Sequence, residues 1–462
     1  MQRQLLSVPQ SSDPADGGFA LLPCHFISQR SIEPGSTAMP LQKIPVPQRL
    51  ARVTTSLALA LLPCRFSLQR PIEPRSTAMP RQKTPASQRL ARVTTSLALA
   101  LLALFSATQP SAAESRKVIL DDDGFSIAQW MILQAAPDAE VLGVTSVSGN
   151  CWVKECAAWA LRSLEIVKRS DVPVVMGATY PLINTEKTTE RWEALYGKLI
   201  WKGAWMKRWV EETVQSTPNY HGPDVVPDLP DGNPTTQAAN EIAANFLIRK
   251  VREFPGQISI IATGPLTNLA LAQRLDPEFA SLAKELVYMG GSLNPHQQLA
   301  NVSAEQFARE FVNSPRREFN MRFDPEGASI ALRAPWKKIT MVPADPATAT
   351  QLTADLLKRL SAADTELAKV IRKREPGFPL WDEIASAVWL DPRLIAKSKQ
   401  LFVDADTQFG PSYGDTLSWA KGYEPGLGEQ METVVLEVDV RGVEKLMIAL
   451  MTRPTPPVAK RP

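Results

Sequence analysis

The stretch KVILDDDGFSIAQWMIL, residues 117–133, joins a short apolar run to a longer one through three consecutive aspartates. The first run predicts a buried strand, and the second predicts a helix. Neighbouring carboxylates repel one another, and burying them is costly unless a cation lies among them. The loop at Asp121, Asp122 and Asp123 is therefore either solvated or holds a cation.

The succession of a short apolar strand and a helix recurs along the chain. Further strands are predicted at 140–149, 172–177, 257–262, 286–291, 337–343 and 433–440, and further helices at 154–167, 235–254, 266–275 and 441–451. This alternation predicts an α/β fold with a Rossmann-like, mostly parallel open sheet and helices on both faces. Ligands of such sheets bind at the carboxyl ends of the strands, which is where Asp121–Asp123 falls.

Residues 184–215 depart from the alternation and predict a helical, tryptophan-rich insertion. Trp201, Trp205 and Trp209 are spaced by four, which places their rings on one face of a helix. A packing stripe is the favoured interpretation. A lid whose aromatic rings stack on a planar ligand is the alternative.

The first 113 residues form a basic leader with an internal repeat. Segment 20–30 (ALLPCHFISQR) returns at 60–70 as ALLPCRFSLQR, and segment 48–60 returns unchanged at 88–100. The leader carries twelve Lys and Arg against four Asp and Glu, so the remaining 349 residues have a net charge of −5. A mildly acidic body gives no reason to expect a nucleic-acid polymer as a partner.

The leader ends in the pattern of a secretory signal peptide. Residues 79–113 combine a basic start at Met79, an apolar run at about 93–105, and the small residues Ser111, Ala112 and Ala113. The apolar run is short for a membrane span. We therefore expect an unfolded leader, export to a periplasmic or extracellular location, and a mature domain over 114–462 that begins near Ala113 or Glu114.

Two of the four cysteines lie in the mature domain, at Cys151 and Cys156. In an oxidising compartment they could pair. Two packed thiols are the favoured interpretation, because unpaired cysteine behaves as a small buried apolar residue.

Six motifs of the mature domain carry a family resemblance. They are VLGVTSVSGN (141–150), DVPVVMGATYPL (171–182), ATGPLTNLALA (262–272), YMGGS (288–292), EFNMRFDPEGA (318–328) and LWDEIASAVWLDP (380–392). In this order they resemble the inosine–uridine preferring nucleoside hydrolases, which are calcium-dependent nucleoside N-ribohydrolases. The resemblance runs from about residue 117 to 451. It implies the nucleoside hydrolase fold and a glycosidase that hydrolyses ribonucleosides to ribose and base, in purine or pyrimidine salvage.

The resemblance also implies a metal site. Asp123 matches the family's general base and calcium ligand, Asp382 and the Thr263 carbonyl match further ligands, and Asp121 is an additional candidate. Asp122 is expected to point away. The family's opening motif closes with an aspartate pair, and Ser126-Ile127 or Ile127-Ala128 stands at that place here. One carboxylate ligand is therefore missing, which places the affinity for Ca²⁺ in doubt.

Substrate-binding residues follow from the same motifs. They are Asn150, Met289, Glu318, Asn320, His221 and one asparagine after the Met-Gly-Gly turn, either Asn294 or Asn301. Trp381 occupies the place where the family often has a histidine that protonates the leaving base. An indole is not an acid at working pH, so Trp381 either stacks on the base or fills volume.

The rival interpretation is a non-catalytic protein that binds ribose or a nucleoside and has lost part of its metal site. The missing aspartate pair and the tryptophan at position 381 favour this rival more than they would in a typical family member. In either case the expected partner is a small nucleoside, and assembly into a homo-oligomer stays open.

Overall fold

The computed structural model describes residues 115–199, 201–208, 218–293, 318–348 and 350–456. All of them fall within one compact unit that runs from Leu90 to Pro462. The predicted leader and the candidates Trp209, Asn294 and Asn301 lie outside the described residues. Within the described ranges, no helix is long and apolar enough to cross a membrane.

A nine-stranded sheet forms the centre of the domain. Its strands are β1 (Arg116–Asp122), β2 (Ala139–Ser146), β3 (Val174–Met176), β4 (Ile258–Ala262), β5 (Glu285–Met289), β6 (Ile339–Val342), β7 (Ile395–Ala405), β8 (Thr416–Trp419) and β9 (Gln430–Val438). The spatial order is β3-β2-β1-β4-β5-β6-β9-β7-β8. All pairs from β3 to β9 are parallel, whereas β7 is antiparallel to both β9 and β8. The predicted mostly parallel α/β sheet is confirmed.

Helices cover both faces of the sheet. The described α-helices are α1 (Ile127–Gln134), α2 (Val153–Ile166), α3 (Glu186–Tyr196), α4 (Ala243–Glu253), α5 (Thr267–Leu275), α6 (Phe279–Leu282), α7 (Phe319–Phe323), α8 (Pro325–Leu332), α9 (Ala344–Thr348), α10 (Ala354–Leu360), α11 (Glu366–Ile371), α12 (Trp381–Leu390) and α13 (Val440–Met451). Short 3₁₀ turns lie at Gly203–Trp205 and Pro392–Leu394.

Two apolar cores result from the strand alternation. Val118 and Leu120 pack on one face with α1, α12 and α13. Ile119, on the opposite face, packs with α4, α5 and α8. Because successive strand residues point to opposite faces, β1 is buried on both sides and reads as a continuous apolar run.

Two of the helix predictions are wrong in extent. The helix expected at 235–254 begins only at Ala243. Ahead of it, the backbone amides and hydroxyls of Thr235 and Thr236 all donate to one Glu165 carboxylate oxygen at 2.7–2.9 Å. Local bonds of this kind compete with helix formation.

The insertion predicted at 184–215 is not one helix. Its helix ends at Tyr196, and Gly197 follows with φ +118°. Gly203 then opens the short 3₁₀ turn with φ +54°. Such backbone angles suit glycine and do not occur inside a right-handed helix. The predicted single face of Trp201 and Trp205 is therefore wrong.

Cys151 and Cys156 are joined by a disulfide, with 5.7 Å between their Cα atoms. The favoured interpretation of two packed thiols is wrong. The bond joins the turn directly after Asn150 to the first turn of α2.

Candidate active site

The turns that follow β1, β2 and β4 meet at one edge of the sheet. The Thr263 amide donates to the Asp121 carbonyl at 2.8 Å, and the Val147 amide donates to the Asp122 carbonyl at 3.0 Å. These bonds continue the parallel ladder past the strand ends. The aspartate triplet is therefore fixed at the carboxyl edge, where the strand pattern places it.

Asp121 and Asp122 point to opposite faces of the sheet. The Asp121 carboxylate accepts from Thr145 Oγ1 at 2.5 Å and from Asn268 Nδ2 at 2.8 Å. Asp122 Oδ1 accepts from Gln129 Nε2 and Thr263 Oγ1, both at 2.8 Å. Strand alternation explains the difference. The expectation that Asp122 points away from the site is wrong, because its carboxylate bonds to Thr263 and its charge acts on Asp382.

Asp123 is held by both ends of one asparagine. The Asn150 backbone amide donates to Asp123 Oδ2 at 2.8 Å, and its side-chain Nδ2 donates to Oδ1 at 3.1 Å. Gly149 and Gly264 lie against the aspartate, and a Cβ on either would collide with it. Burial raises the pKa of Asp123 to about 7, and the nearby Glu318 adds to the rise. Asp123 is thus held in place, and its pKa lies near the pH at which a general base works best.

Glu318 and Asn320 approach Asp123 from the start of α7. The Glu318 carboxylate accepts from the backbone amides of Gly291, Asn320 and Met321 at 2.8–3.0 Å. Asn320 Nδ2 donates to the Thr263 carbonyl at 3.3 Å and to the Met289 carbonyl at 3.1 Å. The predicted residues Thr263, Met289, Glu318 and Asn320 are therefore brought together.

Asp382 completes the cluster from the first turn of α12. Burial raises its pKa well above the usual value, and the charges of Glu383, Asp122 and Asp123 raise it further. Glu383 is itself buried, with a pKa of about 7, and bonds to Ser126 and to the Ala128 amide at the start of α1. Sequence reasoning missed Glu383.

A cation fits the chemistry of this cluster. Burial raises the pKa of each of its six carboxyl groups, Asp121, Asp122, Asp123, Glu318, Asp382 and Glu383. Among described atoms, Asp121 Oδ2 is buried without a hydrogen-bond partner. Carboxylate and carbonyl oxygens are the ligands that hard divalent cations take. However, no three His, Cys, Asp or Glu side chains of the described residues converge as a metal site. The predicted calcium ligands Asp123, Asp382 and the Thr263 carbonyl include only two such side chains, because the third ligand is a backbone oxygen.

The structure places two predicted residues in supporting contacts. Trp381 Nε1 donates to Thr348 Oγ1 at 3.1 Å, and its ring packs partly on the core of α1 and α12. The His221 ring lies 3.0 Å from the Glu155 carboxylate, and its carbonyl accepts from Trp152 at 2.8 Å. Neither contact places an acid where it could protonate the leaving base. The His221 carbonyl does, however, bond to Trp152, which belongs to an aromatic cluster with Trp205, Phe319 and Phe323 beside the site.

Gln129 is a further residue of the site that the sequence interpretation missed. Its Oε1 accepts from the Ser126 amide at 2.7 Å, and its Nε2 donates to Asp122. Ser126 in turn caps α1. The pattern Ser-x-x-Gln is a capping box, so this signal was present in the sequence.

Residues 118–445 match the sequence profile of a family described as inosine-uridine preferring nucleoside hydrolase. This match covers most of the chain and includes all six motifs that carry the resemblance. The chain belongs to the inosine-uridine preferring nucleoside hydrolase family.

Named relatives agree with the family. Uridine nucleosidase 1 of Arabidopsis thaliana is 30% identical over 359 residues, which cover 73% of this chain and 94% of the plant protein. The pyrimidine-specific ribonucleoside hydrolase RihA of Shewanella woodyi is 28% identical over 350 residues, 72% of this chain and 97% of RihA. The protein is thus a nucleoside hydrolase-like enzyme that acts on N-glycosyl bonds.

Solved structures agree on the fold. A plant nucleoside hydrolase superposes with a TM-score of 0.53 at 24% identity, covering 73% of this chain and 99% of the plant chain. An inosine-guanosine nucleoside hydrolase gives a TM-score of 0.54 at 21% identity, with 73% and 98% covered. Nucleoside hydrolases of this family are generally metal-dependent, which agrees with the six buried carboxyl groups at the carboxyl edge.

Proposed function

We propose that this nucleoside hydrolase is an exported, calcium-dependent enzyme that cleaves ribonucleosides, with Asp123 as the general base. The observation that carries the proposal is the Asn150 clamp on a buried Asp123 at the carboxyl edge of the sheet. A clamped carboxylate holds its proton-accepting oxygens in one orientation, as activation of a water molecule requires.

Asp123 takes the proton from the attacking water. Each of its oxygens accepts one hydrogen bond from Asn150, which leaves a further lone pair on each for that proton. In the metal-free protein, burial raises the pKa of Asp123 to about 7, so the metal-free carboxylate is a stronger base than an exposed aspartate.

Asp123, Asp382 and the Thr263 carbonyl would hold the calcium ion. Asn320 fixes that carbonyl, and the first turn of α12 fixes Asp382. When bound, the ion would supply positive charge that keeps Asp123 ionised and lowers the pKa of a neighbouring water. The missing aspartate pair removes one charged ligand, so we expect weaker binding than in a full-motif relative.

Glu318, Asn320 and Asn150 would bind the ribose hydroxyls. Cleavage of the N-glycosidic bond develops positive charge on the sugar, and the buried carboxylates of Glu318 and Asp123 stabilise that charge. A 2′-deoxynucleoside would leave the polar groups of the site unpaired. It should therefore be cleaved far more slowly than its ribonucleoside.

The departing base receives no proton from Trp381, because indole is not an acid. Protonation by another group or by solvent, or stacking of the base on aromatic rings, would then assist its departure. The names of relatives favour uridine and other pyrimidine ribonucleosides as the first substrates to test.

Ribose release from uridine, cytidine, inosine and 2′-deoxyuridine, with Ca²⁺ and with a chelator, tests the proposal. We expect release from at least one ribonucleoside, loss with the chelator, and little release from 2′-deoxyuridine. Nucleoside binding without ribose release at any Ca²⁺ concentration would refute the catalytic proposal and favour a binding protein.

Export is a separate part of the proposal, and the Cys151–Cys156 disulfide supports it, because such bonds persist in oxidising compartments. Amino-terminal sequencing of protein from the periplasm or medium should find a start near Ala113 or Glu114. Recovery of the exported protein with residues 1–113 intact would contradict it. An external location would place the enzyme at the beginning of base salvage.

A further inference from the structure

A short segment of the insertion docks on the turn that holds Asp123. The Ala204 amide donates to the Gly149 carbonyl at 2.9 Å. Gly203 lies so close to that carbonyl that a Cβ there would collide with it. Beside this contact, Trp201 Nε1 donates to Asn150 Oδ1 at 2.7 Å. The segment 201–205 therefore touches both residues of the Gly149-Asn150 turn.

The indole bond determines which way the Asn150 amide faces. A primary amide has one accepting end and one donating end. With Oδ1 on the indole N–H, Nδ2 faces Asp123 Oδ1. Turning the amide over would set two donors against each other at Trp201 and two acceptors against each other at Asp123. Trp201 thereby fixes the side-chain half of the clamp on the base.

Trp201 is itself fixed by the helix that carries the ribose-binding residues. Its carbonyl accepts from Arg322 Nη2 at 2.8 Å. Its ring lies 6.5 Å from that of Phe319, centroid to centroid, and packs against the cluster of Trp152, Trp205, Phe319 and Phe323. One residue thus connects α7, which presents Glu318 and Asn320, to the turn that orients Asp123.

We infer that Trp201 is a positioning residue, which acts through Asn150 to hold Asp123 in the orientation needed for attack. This inference rests on the proposed function. Trp201→Phe keeps an aromatic ring beside Phe319 and removes the N–H donor together with the five-membered ring that carries it. It should lower kcat by about tenfold, with a smaller change in KM. A tenfold change corresponds to about 1.4 kcal/mol, which is within the net contribution of one hydrogen bond.

A double-mutant cycle separates this role from general packing. Trp201→Phe should lower kcat about tenfold in the wild-type background and less than twofold in an Asn150→Ala background. Trp205→Phe is the matched control: Trp205 lies four residues away and stacks on Phe323 at 4.3 Å. Its effect should be the same in both backgrounds. p-Nitrophenyl riboside, with its good leaving group, keeps the rates of the double variants measurable.

A cycle in which Trp201→Phe is equally harmful with and without Asn150 would overturn the inference, and so would wild-type kcat in Trp201→Phe. A second measurement does not depend on turnover: the ¹⁵N-indole resonance of Trp201 should move in Asn150→Ala while that of Trp205 stays in place. An unmoved Trp201 resonance would contradict the contact. Absence of ribose release from the wild-type enzyme would instead refute the proposed function, and the two failures are distinguishable.

Discussion

Replacing the base with its amide, Asp123→Asn, should reduce activity and increase stability together. The loss of the base should lower kcat by about 10²–10⁴-fold, the usual contribution of general base catalysis. Nucleoside binding should survive in part, because Glu318 and Asn320 stay in place.

The gain in stability follows from the burial of Asp123. Its pKa is about 7 in the folded protein, against 3.8 for an exposed aspartate. Because the folded pKa is the higher one, the stabilising effect of the protonated group is complete below about pH 4 and is lost as the pH rises to about 7. The free-energy cost of burying ionised Asp123 corresponds to roughly three pKa units, or about 4 kcal/mol, at pH 8. At pH 5 the cost is about 1.5 kcal/mol.

Asparagine does not titrate, so the variant escapes this penalty. One amide end must face a donor of Asn150, at a cost of about 1 kcal/mol that does not depend on pH. The difference in the free energy of unfolding between metal-free Asp123→Asn and the wild type should therefore shift by about 2–3 kcal/mol in favour of the variant as the pH rises from 5 to 8. Urea unfolding at a series of pH values measures this gain, and saturating Ca²⁺ should reduce it.

Glu432→Gln is the control for this experiment. Burial raises the pKa of Glu432 to about 8, and its carboxylate accepts from Tyr288 Oη at 2.7 Å. The control should show a similar pH-dependent gain while keeping its turnover and its response to Ca²⁺. Parallel pH curves for Asp123→Asn and the wild type would refute the assignment of Asp123 as a buried, ionising base. Equal kcat values would refute the mechanism.

Three further substitutions test other parts of the site. Trp381→His should raise the rate on uridine but not on p-nitrophenyl riboside. It should also lower the free energy of unfolding by about 1–2 kcal/mol, because ring packing is lost. Equal rate changes on both substrates would exclude a new leaving-group acid. Replacing Cys151 and Cys156 with serine should lower the free energy of unfolding by about 2 kcal/mol, because the disulfide closes a six-residue loop. Urea unfolding of the variant, and of the wild type with and without reductant, measures this loss. Gly149→Ala should lower kcat at least tenfold with an unchanged circular dichroism spectrum, because its Cβ would displace the Asp123 carboxylate; wild-type kcat would show that the turn has room to shift.

The strands and the central cluster of the site could be predicted from the sequence. Strand order along the chain follows from short apolar runs, and their carboxyl ends must meet at one edge of a parallel sheet. That geometry is enough to bring Asp123, Asn150 and Thr263 together from positions up to 140 residues apart in the sequence, whereas Glu318 was predicted only from the resemblance to the family. The antiparallel pair β7 and β8 was missed, because the first half of β7 is exposed and polar, in the segment IAKSKQ.

The orientation of neighbouring groups within the cluster required the tertiary structure. The sequence shows three aspartates in a row, but the partners on α1 and α5 determine that Asp122 meets Gln129 and Asp121 meets Asn268. Likewise, the tryptophan spacing of four favours a helix, whereas the structure has glycines with positive φ on both sides of Trp201.

The sequence by itself determined the fold class, which depends on local strand and helix patterns, and its resemblance to the nucleoside hydrolases indicated the family and the candidate base. Only the tertiary structure decided that Trp201 reaches Asn150, that Glu383 reaches the start of α1, and that Cys151 and Cys156 are bonded. The physical reason is range. Strand and helix periodicity is set by residues within a few positions of one another, whereas a hydrogen bond across 51 residues depends on where two separate turns come to rest.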